Sequence, residues 1–173
     1  MINEKGSCII EYETFHTKGK EKGKVGKLIM ASADTIKLLR ECDAGTKMAV
    51  NSIDEILEKV RDEKLKHLLQ ESKEHHKQLE LDIHKQLDTY QAEEKEPNPM
   101  ARGMSWMKTN MKLGMNDSDA TIADLLTDGC DMGIKSLYKY MNQYDDAEKT
   151  AKEICQKLIA IEEKLEKDLR KYL

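Results

Sequence analysis

The sequence predicts an all-α protein with the architecture of a four-helix bundle. Of its 173 residues, 36% are charged and 39% are hydrophobic, and only two are prolines, a composition that favours long charged helices. Its apolar residues recur at intervals of three and four, which is the spacing of one helix face. One connection of about 20 residues separates two closely joined helix pairs, and a link of that length can run along a bundle.

The first two helices are predicted to form an antiparallel hairpin. Helix 1 is expected from about residue 27 to residue 60, and its inner face holds Leu39, Cys42, Thr46, Ala49, Ile53, Ile56 and Val60. Asp62 is a candidate cap for helix 2, because its carboxylate can accept a hydrogen bond from a free first-turn N–H. The stripe of helix 2 consists of Leu69, Ser72, His76, Leu79, Ile83, Leu87 and Tyr90. So short a join leaves the two helices antiparallel.

The long connection covers residues 97 to 116 and opens with the helix breaker Pro97-Asn98-Pro99. It predicts a crossover along the bundle, which would leave helices 2 and 3 parallel. Five methionines recur there at helical spacing near Trp106, namely Met100, Met104, Met107, Met111 and Met115. Adaptable packing is the favoured interpretation of this stripe, and binding of a soft metal or a partner helix is the alternative.

Helices 3 and 4 are predicted to form the second hairpin. Asp117 and Ser118 are cap candidates for helix 3, and Asp145 and Glu148 form a capping-box-like pair for helix 4. The inner face of helix 3 is expected to hold Ile122, Leu126, Gly129, Gly133, Leu137, Tyr140 and Tyr144. That of helix 4 holds Ala147, Ala151, Ile154, Leu158, Ile161, Leu165, Leu169 and Tyr172. The two glycines predict close helix packing, with a small-molecule pocket as the alternative.

Residues 1 to 26 are predicted to be an N-terminal arm, which leaves residues 27 to 173 as the bundle. Residues 17 to 27 hold five lysines and three glycines without interleaved aromatic residues, which favours a solvated linker over a nucleic-acid contact.

A net charge of −4 gives no overall attraction to nucleic acid or anionic lipid. No apolar run approaches the roughly 18 residues of a membrane span. Because no secretory signal is recognisable, we expect a cytoplasmic protein.

Sequence motifs give no starting point for an enzyme. The nucleophile-elbow, P-loop and dinucleotide-binding patterns are all missing from the 173 residues. The four cysteines, Cys8, Cys42, Cys130 and Cys155, show no CxxC spacing. We therefore expect buried free thiols that pack as small hydrophobic side chains.

Polar residues fall at similar depth on the predicted helices. The set comprises Cys42, Asp43 and Thr46 on helix 1, Ser72, His75 and His76 on helix 2, Cys130 on helix 3, and Cys155 and Glu162 on helix 4. Such a layer is costly in an apolar bundle unless each group is paired. His76 is expected to be buried and hydrogen-bonded, with Ser72 and either Glu162 or Thr46, whereas His75 should be more exposed. Coordination of a metal or ligand is the alternative.

Two hairpins, a long crossover and this polar layer together resemble the ferritin-like superfamily, over about residues 27 to 173. The resemblance implies an inward Glu on two helices and a Glu-x-x-His pair on the other two, which hold two irons. Here the nearest segment is Glu71-Ser-Lys-Glu-His-His, in which Glu71 precedes His75 by four residues and His76 by five. The di-iron ligand set is therefore degraded.

The sequence thus predicts a non-catalytic structural or binding module that needs no cofactor and self-associates as a homo-oligomer, a dimer in the simplest case. The alternative is an iron- or zinc-dependent oxidoreductase or metal-storage protein with an atypical site in the bundle core. Its candidate metal ligands are His76, Glu162, His75, Asp43 and Glu71. A second donor set, suited to zinc, consists of Cys42, His76, Cys130, Cys155 and Glu162.

Overall fold

The computed structural model describes residues 32–97 and 118–173, and within them the chain forms a four-helix bundle. Its helices are α1 Ala33–Leu57, α2 Glu63–Thr89, α3 Asp119–Gln143 and α4 Lys149–Leu169, followed by a 3-10 turn at Arg170–Tyr172. The predicted all-α class is confirmed. The predicted N-terminal arm and the methionine stripe lie outside the described residues.

Side-chain caps fix the starts of three helices. Ser32 Oγ accepts a hydrogen bond from Thr35 N at 3.1 Å, and Asp62 Oδ1 accepts one from Leu65 N at 2.8 Å. Ser118 Oγ accepts from Thr121 N at 3.2 Å. These contacts satisfy first-turn N–H groups that have no partner inside the helix. They confirm the caps predicted at residues 62 and 118.

The capping box predicted for helix 4 is wrong. Glu148 is the N-cap residue of α4, and its side chain makes no capping hydrogen bond. Its carboxylate instead accepts a hydrogen bond from the Tyr90 hydroxyl at 3.0 Å, while its N–H donates to Thr35 Oγ1 at 2.8 Å. Tertiary contacts to α1 and to the end of α2 therefore replace the local cap.

Contacts at the two ends of the bundle show that α2 and α3 are parallel. The Asp119 carboxylate accepts hydrogen bonds from the N–H groups of Arg61 and Asp62, both at 2.9 Å, so α3 begins beside the start of α2. The bond from Glu148 N to Thr35 Oγ1 places the starts of α4 and α1 together at the other end. The chain thus leaves α2 at the end of the bundle opposite to the start of α3, as the crossover prediction requires.

A Schellman motif ends α2 and turns the chain back along α1. Ala92 N donates to Leu87 O at 2.9 Å and Gln91 N to Asp88 O at 3.0 Å, the two bonds that define this helix ending. Gln91 has φ of 53°, a left-handed conformation that glycine adopts most readily. Because of this turn, residues 92 to 97 run beside α1, and Arg40 Nε donates to Glu93 O at 2.8 Å.

The apolar core consists of two clusters stacked along the bundle axis. The cluster near the start of α1 includes Leu38, Leu39, Cys42, Leu79, Ile83, Leu87, Leu137, Ile154, Cys155 and Leu158. The other cluster includes Ile53, Ile56, Leu65, Leu69, Ile122, Leu126, Cys130, Leu165 and Leu169. Burial of these side chains is the main driving force for folding. Between the clusters lie the buried polar residues Ser72, His76 and Glu162.

Of the two glycines of α3 that were predicted to face inward, Gly133 lies against α4 and Gly129 does not. Gly129 is exposed, and a Cβ built on it would meet no atom within 4 Å. Gly133 is half-buried, and a Cβ there would lie 3.8 Å from Glu162 Cδ, an ordinary contact distance. The prediction that Gly129 faces inward is therefore wrong, because the inner face of α3 passes through Leu126, Cys130 and Leu137.

Replacing Gly129 by Ala should stabilise the protein. The new methyl group meets open space, and alanine loses less backbone entropy than glycine in a helix, so we expect the free energy of unfolding to rise by about 0.5 to 1 kcal/mol. Urea denaturation followed by circular dichroism measures the change. Gly45→Ala is the matched control and should gain less, since its Cβ would lie 3.4 Å from Leu158 Cδ2. A loss of stability in Gly129→Ala would contradict the exposed position.

Candidate functional site

His76 is fully buried at the middle of the bundle, and both of its ring nitrogens are engaged. Its Nδ1 lies 2.8 Å from the Ser72 carbonyl oxygen, and its Nε2 lies 3.1 Å from Glu162 Oε1. A carbonyl can only accept, so Nδ1 carries a proton and donates it to Ser72. The remaining nitrogen shares a proton with the Glu162 carboxylate, which links α2 to α4.

The environment of His76 raises its pKa above the ordinary value. Burial on its own lowers the pKa, because it disfavours the charged imidazolium. The hydrogen bond to Glu162 and the negative charge of that carboxylate act in the opposite direction and, with the Ser72 carbonyl, outweigh burial. The pair therefore favours imidazolium facing carboxylate at the boundary between the two apolar clusters.

The five predicted metal ligands do not converge on one point. His76 and Glu162 are in contact, as expected from their inner-face positions. Asp43 is buried but pairs with His84 at 2.8 Å instead. Glu71 is exposed and lies 3.7 Å from Lys164 Nζ, and His75 is exposed. A 100° step per residue explains this, since positions 71 and 75 point away from the stripe that carries His76.

Cys130 lies beside Glu162, but within residues 32–97 and 118–173 no third donor is close to both members of the His76–Glu162 pair. A group of three His, Cys, Asp or Glu donors within 4.8 Å of one another is not found there around His76. The cysteine-containing donor set suggested for zinc is therefore not assembled among the described residues. Cys42, Cys130 and Cys155 are buried free thiols, as the sequence predicted. Burial, with the neighbouring Glu162 charge, raises the pKa of Cys130 and keeps it a thiol.

The hydroxyl groups near His76 do not complete the pair. Thr46 Oγ1 donates to the Asp43 carbonyl of its own helix at 2.8 Å and makes no described bond to His76. The buried Ser72 hydroxyl has no hydrogen-bond partner in the described part of the chain, while the carbonyl of the same residue accepts from His76. A buried hydroxyl without a partner costs roughly 1 to 3 kcal/mol. The expected role of Ser72 is thus filled by its backbone.

Sequence reasoning missed a second polar cluster, which surrounds Asp43. The carboxylate of Asp43 is fully buried, and its Oδ2 accepts from Lys95 N at 2.9 Å and lies 3.2 Å from Lys47 Nζ. His84 and Glu80, one turn apart on α2, lie on the other side of it. Their i, i+4 spacing was visible in the sequence, but it falls beside the apolar stripe, where charged residues are usually solvated. The backbone N–H of Lys95 reaches Asp43 because the Schellman motif after α2 reverses the direction of the chain.

Comparisons with protein-family models, curated proteins and solved structures gave no match to this chain. Among the described helices, none is long and apolar enough to cross a membrane.

The contribution of His76 to stability should depend on pH. Its pKa is raised by folding above the unfolded value of about 6.5, so the charge-dependent stabilisation is complete below pH 6.5 and is lost as pH rises through the folded pKa. We expect His76→Ala to lower the free energy of unfolding by roughly 1 to 3 kcal/mol, with the larger loss at the lower pH.

Denaturation curves of wild type and His76→Ala between pH 5.5 and 8.5 test this expectation. His75→Ala is the control, since His75 is exposed on the same helix and should change stability little at any pH. A deficit of His76→Ala that grows as pH rises would contradict the assigned charge state.

Proposed function

We propose that this chain is a non-catalytic structural or binding module of ferritin-like architecture, in which a hydrogen-bonded pair occupies the mid-bundle level where the resemblance implies iron ligands. The observation that carries the proposal is the double engagement of His76, with Nδ1 bonded to Ser72 O and Nε2 to Glu162 Oε1. These bonds satisfy the imidazole within the bundle. They give His76 a structural role without requiring a metal.

Ligand counting supports this proposal. A di-iron centre of the ferritin-like type uses about six protein ligands from four helices. The buried residues of α3 are Ile122, Ala123, Leu125, Leu126, Cys130 and Leu137, so this helix offers no buried carboxylate. On α4, Glu162 is the single carboxylate among the buried residues. Two suitable ligands in contact fall well short of six.

The pair has a structural consequence, because it makes one alignment of α2 against α4 more stable than alignments shifted along the helix axis. Moving either helix by one turn would separate His76 from Glu162 and leave both polar groups among leucines. An unpaired buried charge costs several kcal/mol, so such slipped packings are disfavoured. In this proposal the polar layer specifies how the helices pair.

Self-association is part of the same proposal. Leu81 on α2 and Met132 on α3 are 54% and 68% exposed, large values for apolar side chains of this size. They supply contact area that a second copy of the chain would cover. In this proposal Leu81 and Met132 are contact residues of the homodimer.

Metal binding at the pair is the second candidate, and one observation favours it. Histidine ligands of metals usually donate one ring N–H to a carbonyl or carboxylate and present the other nitrogen to the ion. His76 donates to Ser72 O and turns Nε2 towards a carboxylate oxygen. An ion could replace the shared proton, with His76 and Glu162 as its two protein ligands.

Iron analysis separates the two candidates. We expect protein purified without an affinity tag, under reducing conditions, to carry well under one equivalent of iron per chain. Ferrous iron added in air should be oxidised no faster than in buffer and without saturation, because about six ligands are needed for a di-iron centre. His76→Ala and the control His75→Ala should leave any residual metal content unchanged. Stoichiometric iron that is bound by wild type and lost in His76→Ala would refute the structural role.

A further inference from the structure

A second group of metal-ligating side chains lies outside the core pair, where α1, α2 and residues 92 to 97 meet. Asp43, Glu80 and His84 each present a donor atom, and these atoms lie within 4.8 Å of one another. His84 Nε2 is 2.8 Å from Asp43 Oδ1 and 3.8 Å from Glu80 Oε1. Donors at about 2.0 to 2.2 Å from a tetrahedral ion are roughly 3.3 to 3.6 Å apart, so small side-chain adjustments bring these three into range.

Neighbouring groups hold these donors in place, as the outer shell of a metal site does. Glu94 Oε1 lies 3.3 Å from His84 Nδ1, while Nε2 of the same ring is hydrogen-bonded to Asp43 Oδ1. Asp43 Oδ2 accepts from Lys95 N at 2.9 Å, which leaves Oδ1 for the inner side of the cluster. A carboxylate on the second nitrogen of a ligating histidine is a recurrent feature of metal sites.

The cluster also has an excess of negative charge. Asp43, Glu80, Glu94 and Glu96 carry four negative charges, and Lys47 contacts three of these carboxylates with a single positive charge. With neutral His84, the five charged side chains therefore sum to three negative charges. Nearby Lys95 does not alter this balance, because its ammonium pairs with Glu41 at 2.6 Å. A bound divalent cation would offset two of these negative charges. Asp43 is fully buried, so solvent does not screen its carboxylate.

We propose that Asp43 Oδ1, the Glu80 carboxylate and His84 Nε2 form a binding site for a divalent first-row transition metal ion of the Zn²⁺ class. One imidazole with two carboxylates suits such an ion better than Mg²⁺ or Ca²⁺, which prefer oxygen ligands alone. The ion takes the place of the proton between His84 Nε2 and Asp43 Oδ1, and the neutral imidazole then carries its single proton on Nδ1, by exchange with solvent. Water completes the coordination from the exposed side. The site is independent of the His76–Glu162 pair, so its failure would leave the proposed function intact.

Titration calorimetry of the full chain with Zn²⁺, in a reducing buffer near neutral pH, tests the site. We expect one equivalent in the tightest phase, and Glu80→Gln and His84→Ala should each weaken it by at least about tenfold. His67→Ala and His75→Ala, which change exposed histidines of the same helix, are matched controls that should retain wild-type affinity. No saturable Zn²⁺ binding, or affinity unchanged in both Glu80→Gln and His84→Ala, would overturn the proposal.

Two further measurements distinguish loss of the site from misfolding of a variant, and the proposed ligands from cysteine ligands. Glu94→Gln changes a half-exposed side chain outside the ligand set and should still weaken binding by roughly tenfold to a hundredfold. Wild-type affinity in this variant would contradict the outer-shell role. Co²⁺ should give absorption bands of a nitrogen and oxygen site, whereas a strong thiolate charge-transfer band would place the ion on a cysteine and refute the assignment.

Discussion

The hydrogen bond between His76 Nε2 and Glu162 Oε1 is the constraint on which the packing of this bundle depends. It joins α2 to α4 at 3.1 Å, between an apolar cluster around Leu38 and Ile154 and another around Ile53 and Leu169. Apolar contacts specify a helix alignment less strictly than polar ones, because a core of aliphatic side chains tolerates repacking at similar volume. A buried imidazole has no such substitute partner. The pair therefore converts a generally apolar interface into one specific arrangement.

The second polar cluster, which surrounds Asp43, holds residues 92 to 97 against α1. Asp43 is buried without solvent, and its oxygens are satisfied by His84, Lys47 and the backbone N–H of Lys95. These contacts fasten the returning chain to α1 immediately before the crossover. Breaking them would leave a buried carboxylate unpaired, so residues 92 to 97 are held against α1. The same geometry that anchors the chain also assembles the donors of the proposed metal site.

Periodicity was sufficient to predict the helices and the burial of His76, because both depend on local spacing along one chain. Asp62 and Ser118 were identifiable as caps for the same reason, since a cap contacts only its own first turn. The contacts of Glu148 at the start of α4 were not predictable in this way, because its partners are Thr35 and Tyr90, more than 50 residues away in sequence. Asp43 illustrates the same limit, because it lies beside the predicted inner face of helix 1 and its partner His84 depends on how two helices face each other.

A double-mutant cycle between His76 and Glu162 tests the central claim most directly. The free energies of unfolding of wild type, His76→Ala, Glu162→Ala and the double variant would be measured at pH 6, where the paired imidazole is charged. We predict an interaction energy of roughly 1 to 3 kcal/mol, since each single variant leaves a buried polar group without its partner. Effects that simply add, to within about 0.3 kcal/mol, would show that the two side chains are adjacent without stabilising the bundle.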